Sequence, residues 1–407
     1  MLPKVLPIQP VSSTKSGIYL HFPYCLQKCH YCDFYSVGLD ELGSGDFSSR
    51  LNQYEQALHQ ELEVRVQDPL IQNQHFDSIY FGGGTSSLMP PEMIHRILMA
   101  LRANFSIDSE AEITLEGNPE NLIPDYLQSL HELGINRVNS GLQTYNAAFL
   151  KDMNRFYETE RYEALLDALT SCAIPSVGVD LIYGFHKQTY EDFRRDLNTV
   201  LRSDIQHLSV YSLTVEPETR YARHIVRGTQ GSPNQELQEE IFGRLPEDLA
   251  ARGLYQYEIS NYAKPDEICK HNWKYWDYRP YLGLGPGAHG FNGKHRYANP
   301  RNLNAWTASP GNAQTREEHN AIIDLFLNFF RITLPVSLDR VREVWHEETW
   351  ENGLRNRRWT AMMHELRRMQ SAGLCELDGE IFQWTSQGIA LLDSHIEQLI
   401  EATLDAK

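Results

Sequence analysis

Six short runs rich in β-branched and aromatic residues recur along the first half of the chain: GIYLHF (17–22), FDSIYFG (76–82), AEITLEG (111–117), INRVNSG (135–141), PSVGVDLIYG (175–184) and QHLSVYSLT (206–214). Between them, Tyr54 to Val66, Glu92 to Asn104, Ile123 to Leu133, Tyr162 to Ser171 and Phe193 to Arg202 carry apolar residues near a three-to-four spacing and read as helices. Repeated strand and helix imply a parallel sheet, because parallel neighbours need a crossover long enough to hold a helix. The pattern admits a TIM-like barrel, complete or partial, and a doubly wound open sheet. Both place ligands at the C-terminal ends of the parallel strands.

Directly after the first run stands HFPYCLQKCHYCDF, in which Cys25, Cys29 and Cys32 form a C-x3-C-x2-C triplet. Three thiolates at this spacing can ligate three irons of a [4Fe–4S] cluster and leave the fourth iron open to a non-protein ligand. A Cys3His zinc set drawing on His21 or His30 is the alternative, but no CxxC or HxxxH pair follows downstream as zinc ribbons and fingers require. The GGGT run (82–85) and Glu116 also fall just after expected strands, so independent motifs converge on one sheet edge.

The later chain changes character. Residues 261 to 305 are rich in aromatics, glycine and proline, with HNWKYW, YRPYLGLGPGAHGF and RYANP, and read as a long functional loop. From Glu317 the chain reads as helices, Ala321 to Arg331 and Trp359 to Ala372, followed by LCELDGEIFQWTSQG as a β-hairpin and a last helix. The expected organisation is an N-terminal extension over 1–16, the βα domain over 17–260, a connecting segment over 261–310 and a winged-helix-like domain over 311–407.

A net charge of −17 disfavours a nucleic-acid partner, whose phosphates need clustered lysine and arginine. Arg355, Arg357 and Arg358 read as a solvated helix face. No run approaches the length of a transmembrane helix, and the opening MLPKVLPIQPVSSTKSG lacks a cleavable apolar region, so a cytoplasmic protein is expected. Cys172, Cys269 and Cys375 are scattered singly, as reduced thiols are. The oligomeric state is left open, a homodimer included.

With YLHFPYCLQKCHYCDF, YFGGGT, LEGNPE and DLIYG in this order, the chain resembles the radical S-adenosylmethionine (SAM) superfamily. The resemblance extends to the branch of oxygen-independent coproporphyrinogen III dehydrogenases and HemW-type heme chaperones, over essentially residues 17 to 395. It implies a partial TIM-like (β/α)6 barrel with a C-terminal helical, winged-helix-like domain. It also implies a [4Fe–4S] cluster on Cys25, Cys29 and Cys32 whose open iron takes the amino and carboxylate groups of SAM.

The SAM contacts that the resemblance carries over are Tyr19, Gly83, Gly84, Thr85, Glu116, Gln143, Arg155 and Asp180. Glycines let backbone amides approach a ligand closely, and a carboxylate, an arginine fork and an amide can together satisfy sulfonium, carboxylate and ribose. Phe22, Tyr24, Tyr31 and Phe34 read as an apolar wall around the cluster. The chain departs from the family at three neighbouring positions: Asn139 stands for a serine, Tyr157 for a histidine and His186 for a proline.

Two features point within this branch toward heme handling. The dehydrogenase pattern has a fourth cysteine where this chain has Phe34, and HNWKYW (271–276) resembles the HNxxYW motif of the heme chaperones. The expectation is therefore a chaperone that binds heme and passes it to an apo-hemoprotein, for example a respiratory heme enzyme. Its axial ligand would be His271, with His289 in GPGAHGF the weaker candidate. The alternative is oxidative decarboxylation of coproporphyrinogen III.

Overall fold

All six expected strands form: β1 (Ser16–Phe22), β2 (His75–Gly83), β3 (Ser106–Gly117), β4 (Arg137–Gln143), β5 (Ser176–Tyr183) and β6 (His207–Ser212). This computed structural model describes residues 7–41, 46–155, 159–318, 320–348 and 353–406. Each strand pairs in parallel with the next. The six run in sequence order without reversal, which is the order of a (β/α) barrel and not of a doubly wound sheet with its switch point. Among the described residues β1 and β6 do not pair with each other, so the barrel is partial.

The period of two along each strand sorts the side chains. Leu20, Phe81, Leu115, Val138 and Val179 are all buried on one face. The alternate positions bring Tyr19, His21, Tyr80, Gly82, Glu116, Asn139, Gly178 and Asp180 onto the other. Register aligns them: His21 is the Cα partner of Gly82, Glu116 of Asn139, Asn139 of Gly178, and Asp180 of Ser209.

Helices Phe47–Arg65, Pro91–Asn104, Pro124–Glu132, Thr159–Ser171 and Tyr190–Val200 fill the crossovers. The first begins seven residues before its expected start. Asp46 caps it by accepting from the Ser48 backbone N–H at 3.1 Å, a short-range signal that apolar periodicity does not register.

The chain divides into two compact units. The larger holds Thr14–Asp248 and Pro280–Glu317; the smaller holds the N-terminal residues through Ser13, Leu249–Arg279 and Glu318–Lys407. The aromatic stretch 261–310 is thus shared between them.

In the larger unit a seventh strand, β7 (Tyr281–Leu284), adds in parallel to β1 on the side away from β2. The antiparallel strands His289–Phe291, Arg296–Ala298 and Thr315–Arg316 follow outward. Buried Glu61 anchors this added segment. Its carboxylate accepts from Gly285 N (2.8 Å), Trp306 Nε1 (2.9 Å), Asn299 Nδ2 (2.7 Å) and Arg65 Nη2 (2.9 Å), so the charge is fully satisfied by hydrogen bonds.

In the smaller unit, helices Ala321–Phe329, Asp339–Glu347, Leu354–Ser371 and Leu392–Leu404 surround a three-stranded sheet of Val336–Ser337, Ile381–Trp384 and Cys375–Asp378. The hairpin turns at Gly379, whose φ of +61° lies in the left-handed region. Phe326, Phe330, Trp345, Leu366 and Trp384 fill the core, and the Trp384 indole donates to the Phe330 carbonyl at 2.6 Å. Among the described residues no helix is long and apolar enough to cross a membrane.

Candidate cofactor site

The triplet cysteines follow β1 on a loop that folds back over the end of β2. Gly84 N donates to the Phe22 carbonyl (2.6 Å) and Thr85 N to the Tyr24 carbonyl (2.8 Å), clamping the GGGT turn against the segment leading into Cys25. The fit leaves no room for side chains. A Cβ on Gly84 would lie 2.7 Å from the Tyr24 carbonyl oxygen and 3.1 Å from Cys25 Sγ; one on Gly83, at φ +110°, would meet the His21 ring at 2.8 Å. Gly84→Ala therefore pushes against backbone that cannot yield. We expect a loss of about 1–3 kcal/mol with poor retention of metal, measured by thermal melting and iron content.

Burial pushes the Cys32 thiol up to about 12, with the neighbouring Cys29 and Cys25 adding, and raises Cys25 as well. A metal taken up by these thiols would displace their protons. Among the described residues no three His, Cys, Asp or Glu side chains converge as a single metal ion requires. The nearer histidine of the zinc alternative is already engaged by its neighbours. His21 Nε2 lies 2.7 Å from the Tyr35 carbonyl, which can only accept, so that nitrogen carries the proton. Nδ1 is left to accept from the Tyr19 hydroxyl at 3.1 Å. His30 Nδ1 faces the Asp152 carbonyl at 3.1 Å.

From the triplet a polar network crosses the strand ends. Arg155 Nη2 donates to the Gly141 carbonyl (2.6 Å) and Asn118 Oδ1 (3.0 Å), while Nη1 approaches the Tyr31 hydroxyl (3.5 Å) and Cys29 Sγ (3.9 Å). Asn118 Nδ2 lies 3.3 Å from Thr85 Oγ1. Gln143 closes β4 with φ +71°, uncommon for a residue with a side chain, where the pairing with β5 shifts register. The bulge turns its amide toward Gly141, where a Cβ would be 2.8 Å from Gln143 Nε2.

The acidic side of the network is buried. Tyr80 donates to Glu116 at 2.5 Å and the ring of Tyr19 stacks on that of Tyr80 at 6.1 Å. Burial pushes Glu116 up to about 7, the Tyr80 hydrogen bond opposing and Asp180 adding to the rise. Burial raises Asp180 too, against hydrogen bonds from Ser209 and Asn139.

Asn139, one of the departures, donates to Asp180 at 2.7 Å, while its Oδ1 is buried without a hydrogen-bond partner. His186 is exposed, with Nδ1 3.3 Å from the Ser232 carbonyl. Tyr157 lies outside the described residues.

Tyr19, Gly83, Gly84, Thr85, Glu116, Gln143, Arg155 and Asp180 thus gather with the three cysteines at the C-terminal edge of the sheet. Two further participants escaped the sequence reading. Asn118 lies within the LEGNPE motif, two residues past Glu116, and Tyr80 lies two before Gly82 on the same strand face, so spacing could have found both.

His271 belongs to the smaller unit. It is fully buried in the helix Lys270–Trp276, with Nε2 3.0 Å from the Tyr275 hydroxyl, and burial holds it well below the usual histidine value. His289, in the larger unit, is exposed.

A partial parallel barrel carrying a cysteine triplet, a glycine turn and a buried acid at its strand ends places the chain in the Radical SAM superfamily, whose profile matches residues 19–200. The fold agrees with that of Escherichia coli coproporphyrinogen III oxidase (HemN), described as a radical SAM enzyme. That match has a TM-score of 0.75 at 23% identity and covers 97% of this chain and 91% of HemN.

Within the superfamily, the heme chaperone HemW of Mycobacterium tuberculosis is 32% identical over 299 residues, 74% of this chain and 75% of that protein. HemW of Escherichia coli is 33% identical over 275 residues, 67% of this chain and 69% of that protein. The chain belongs to the HemW family.

Proposed function

We propose that this protein is a cytoplasmic heme chaperone on a radical SAM scaffold, which binds heme and transfers it to apo-hemoproteins. The observation that carries the reading is the 299-residue match to a relative named as a heme chaperone. Phe34 supports it against the dehydrogenase, because phenylalanine cannot supply the thiol that the dehydrogenase pattern has there. A respiratory heme enzyme is a suitable acceptor.

Cys25, Cys29 and Cys32 would hold a [4Fe–4S] cluster. The residues present suit SAM as its partner. Gly83 and Gly84 let the turn pack tightly against His21 and the segment leading into Cys25; Glu116 and Asp180 supply acid for a cationic group, and Asn139 offers an unpartnered buried acceptor. Arg155 would meet the carboxylate, and Tyr19, Thr85 and Gln143 would complete the contacts. When bound, the cluster and SAM supply the superfamily's reductive chemistry. What these residues do themselves is hold the ligand's charges in place and keep water from them.

The test compares two reactions of the anaerobically reconstituted protein. Stable uptake of added heme, followed by its appearance in an apo-hemoprotein, is the expected result. Decarboxylated product from coproporphyrinogen III, SAM and a reductant would overturn the chaperone reading in favour of the enzyme.

A further inference from the structure

Resting on the SAM reading of the strand-end site, we propose that Asp196 is a positioning residue for it, acting through a strained turn at the end of β4 to hold Gln143 toward the ligand. Gln143 is the centre of a three-residue turn: Thr144 N donates to the Leu142 carbonyl at 3.0 Å, and Gln143 itself stands at φ +71°. A γ-turn of this hand is rare and strained. Such conformations persist only where the surroundings over-determine them, and they gather at ligand sites.

Here the surroundings clamp the turn from both sides. Before it, Arg155 Nη2 donates to the Gly141 carbonyl at 2.6 Å. After it, the Asp196 carboxylate accepts from two consecutive residues, Thr144 Oγ1 to Oδ2 at 2.5 Å and Tyr145 N to Oδ1 at 3.0 Å. Thr144 Oγ1 in turn accepts from Asn146 N at 3.1 Å, which carries the constraint into the cap of the short helix Ala147–Asp152. Asp196 and Thr144 are both buried. Asp196 stands in the helix Tyr190–Val200, which packs on β5, and so lies off the strand face that carries the site.

A buried aspartate that fastens a loop is ordinarily structural. Two observations set this one apart. What it fastens is a residue whose amide reaches into the site: a Cβ on Gly141 would lie 2.8 Å from Gln143 Nε2 and 3.8 Å from both Arg155 Nη2 and Asn118 Oδ1, so Gln143 shares that corner with two members of the polar network. The aspartate also works against stability. Burial pushes its carboxyl up to about 6 despite the bonds from Thr144 and Tyr145, so the charged form is disfavoured in the fold relative to water.

The effect of Asp196 is geometric. Without it the turn at Gln143 loses the clamp on its far side, relaxes, and moves the amide out of the corner it shares with Arg155 and Asn118.

SAM titrated by calorimetry into the cluster-loaded full chain tests this through a double-mutant cycle. Gln143→Ala and Asp196→Ala should each weaken SAM roughly tenfold, the size that release of one strained residue allows. The double variant should lose no more than Gln143→Ala alone. Thr144→Val should lose affinity as Asp196→Ala does, whereas Thr144→Ser, which keeps the hydroxyl, should bind as wild type. Iron content should match wild type in every variant, because Gly84 and Thr85 hold the cysteine loop and this turn does not. Losses that add in the double variant would overturn a role through Gln143. Wild-type affinity in Asp196→Ala or in Gln143→Ala would overturn the proposal and leave the SAM site standing, and failure of wild type to bind SAM would overturn both. Should Asp196→Ala not fold, Thr144→Val decides by the same criteria.

Discussion

Cys32→Ser should empty the strand-end site of iron. Reconstituted wild type is expected to carry about four irons per chain with a broad absorption near ~410 nm, whereas the serine variant should hold less than about one. Two remaining thiolates would leave two irons of the cluster without protein ligands, and a serine hydroxyl does not replace a soft thiolate. His21 cannot take the lost thiolate's place, since both its ring nitrogens are committed to Tyr19 and Tyr35.

Cys172→Ser is the matched control. That thiol donates to the Leu169 carbonyl at 3.1 Å at the end of the helix Thr159–Ser171 and should leave iron content untouched. Iron analysis and the visible spectrum under anaerobic conditions read both variants, and a Cys32→Ser protein with its full complement of iron would refute the cluster assignment.

Glu116→Gln should raise the melting temperature of the metal-free protein at pH 8 and leave it nearly unchanged at pH 5. The native carboxyl sits at about 7 against an ordinary 4.5, because burial disfavours its charge. Between those values the native state keeps a proton that the unfolded state releases, so stability falls as pH rises through the window, and above pH 7 the full penalty applies. A difference of that size corresponds to about 3 kcal/mol. Glutamine has no charge to desolvate and escapes it. Asp180, raised in the same direction, adds to the wild-type slope.

The same substitution should weaken SAM by roughly 10- to 100-fold, as loss of a hydrogen bond to a charged group does. Wild-type affinity for that cationic ligand should rise with pH up to about 7, because the cation favours the ionised carboxylate. Melting curves across pH and SAM titration by calorimetry check both halves. Parallel pH profiles for wild type and Glu116→Gln would show that Glu116 is not the titrating group.

The sheet was legible because its signals are local. A strand of period two followed by a helix of period 3.6 announces a βα unit wherever it occurs, and repetition implies parallel strands. The order of those strands was not legible from periodicity. Periodicity cannot distinguish a barrel from a doubly wound sheet; the ordered family motifs implied the partial barrel, and the pairing of β1 through β6 without reversal bears it out. The division of residues 261–310 was hidden for a related reason. Sequence neighbours such as Arg279 and Pro280 enter different units, and contacts between distant segments, such as Glu61 with Gly285 and Trp306, leave no mark on local composition.

At the site, motif residues were legible because each chemical role restricts the residue type: thiol for iron, glycine where Cβ has no room, carboxyl for a cation. Their supports were harder to see, since Asn118 and Tyr80 act through hydrogen bonds that appear only once the strands are aligned.

The two histidines show the limit most directly. By itself the sequence determined that the chain carries a cysteine triplet and a glycine turn at the ends of parallel strands, with histidines in two aromatic-rich stretches. Only the tertiary structure decided that His271 is buried against Tyr275 while His289 is exposed and braced by Glu317. Accessibility and the partner of an imidazole nitrogen are properties of packing, and packing is set by residues remote in sequence.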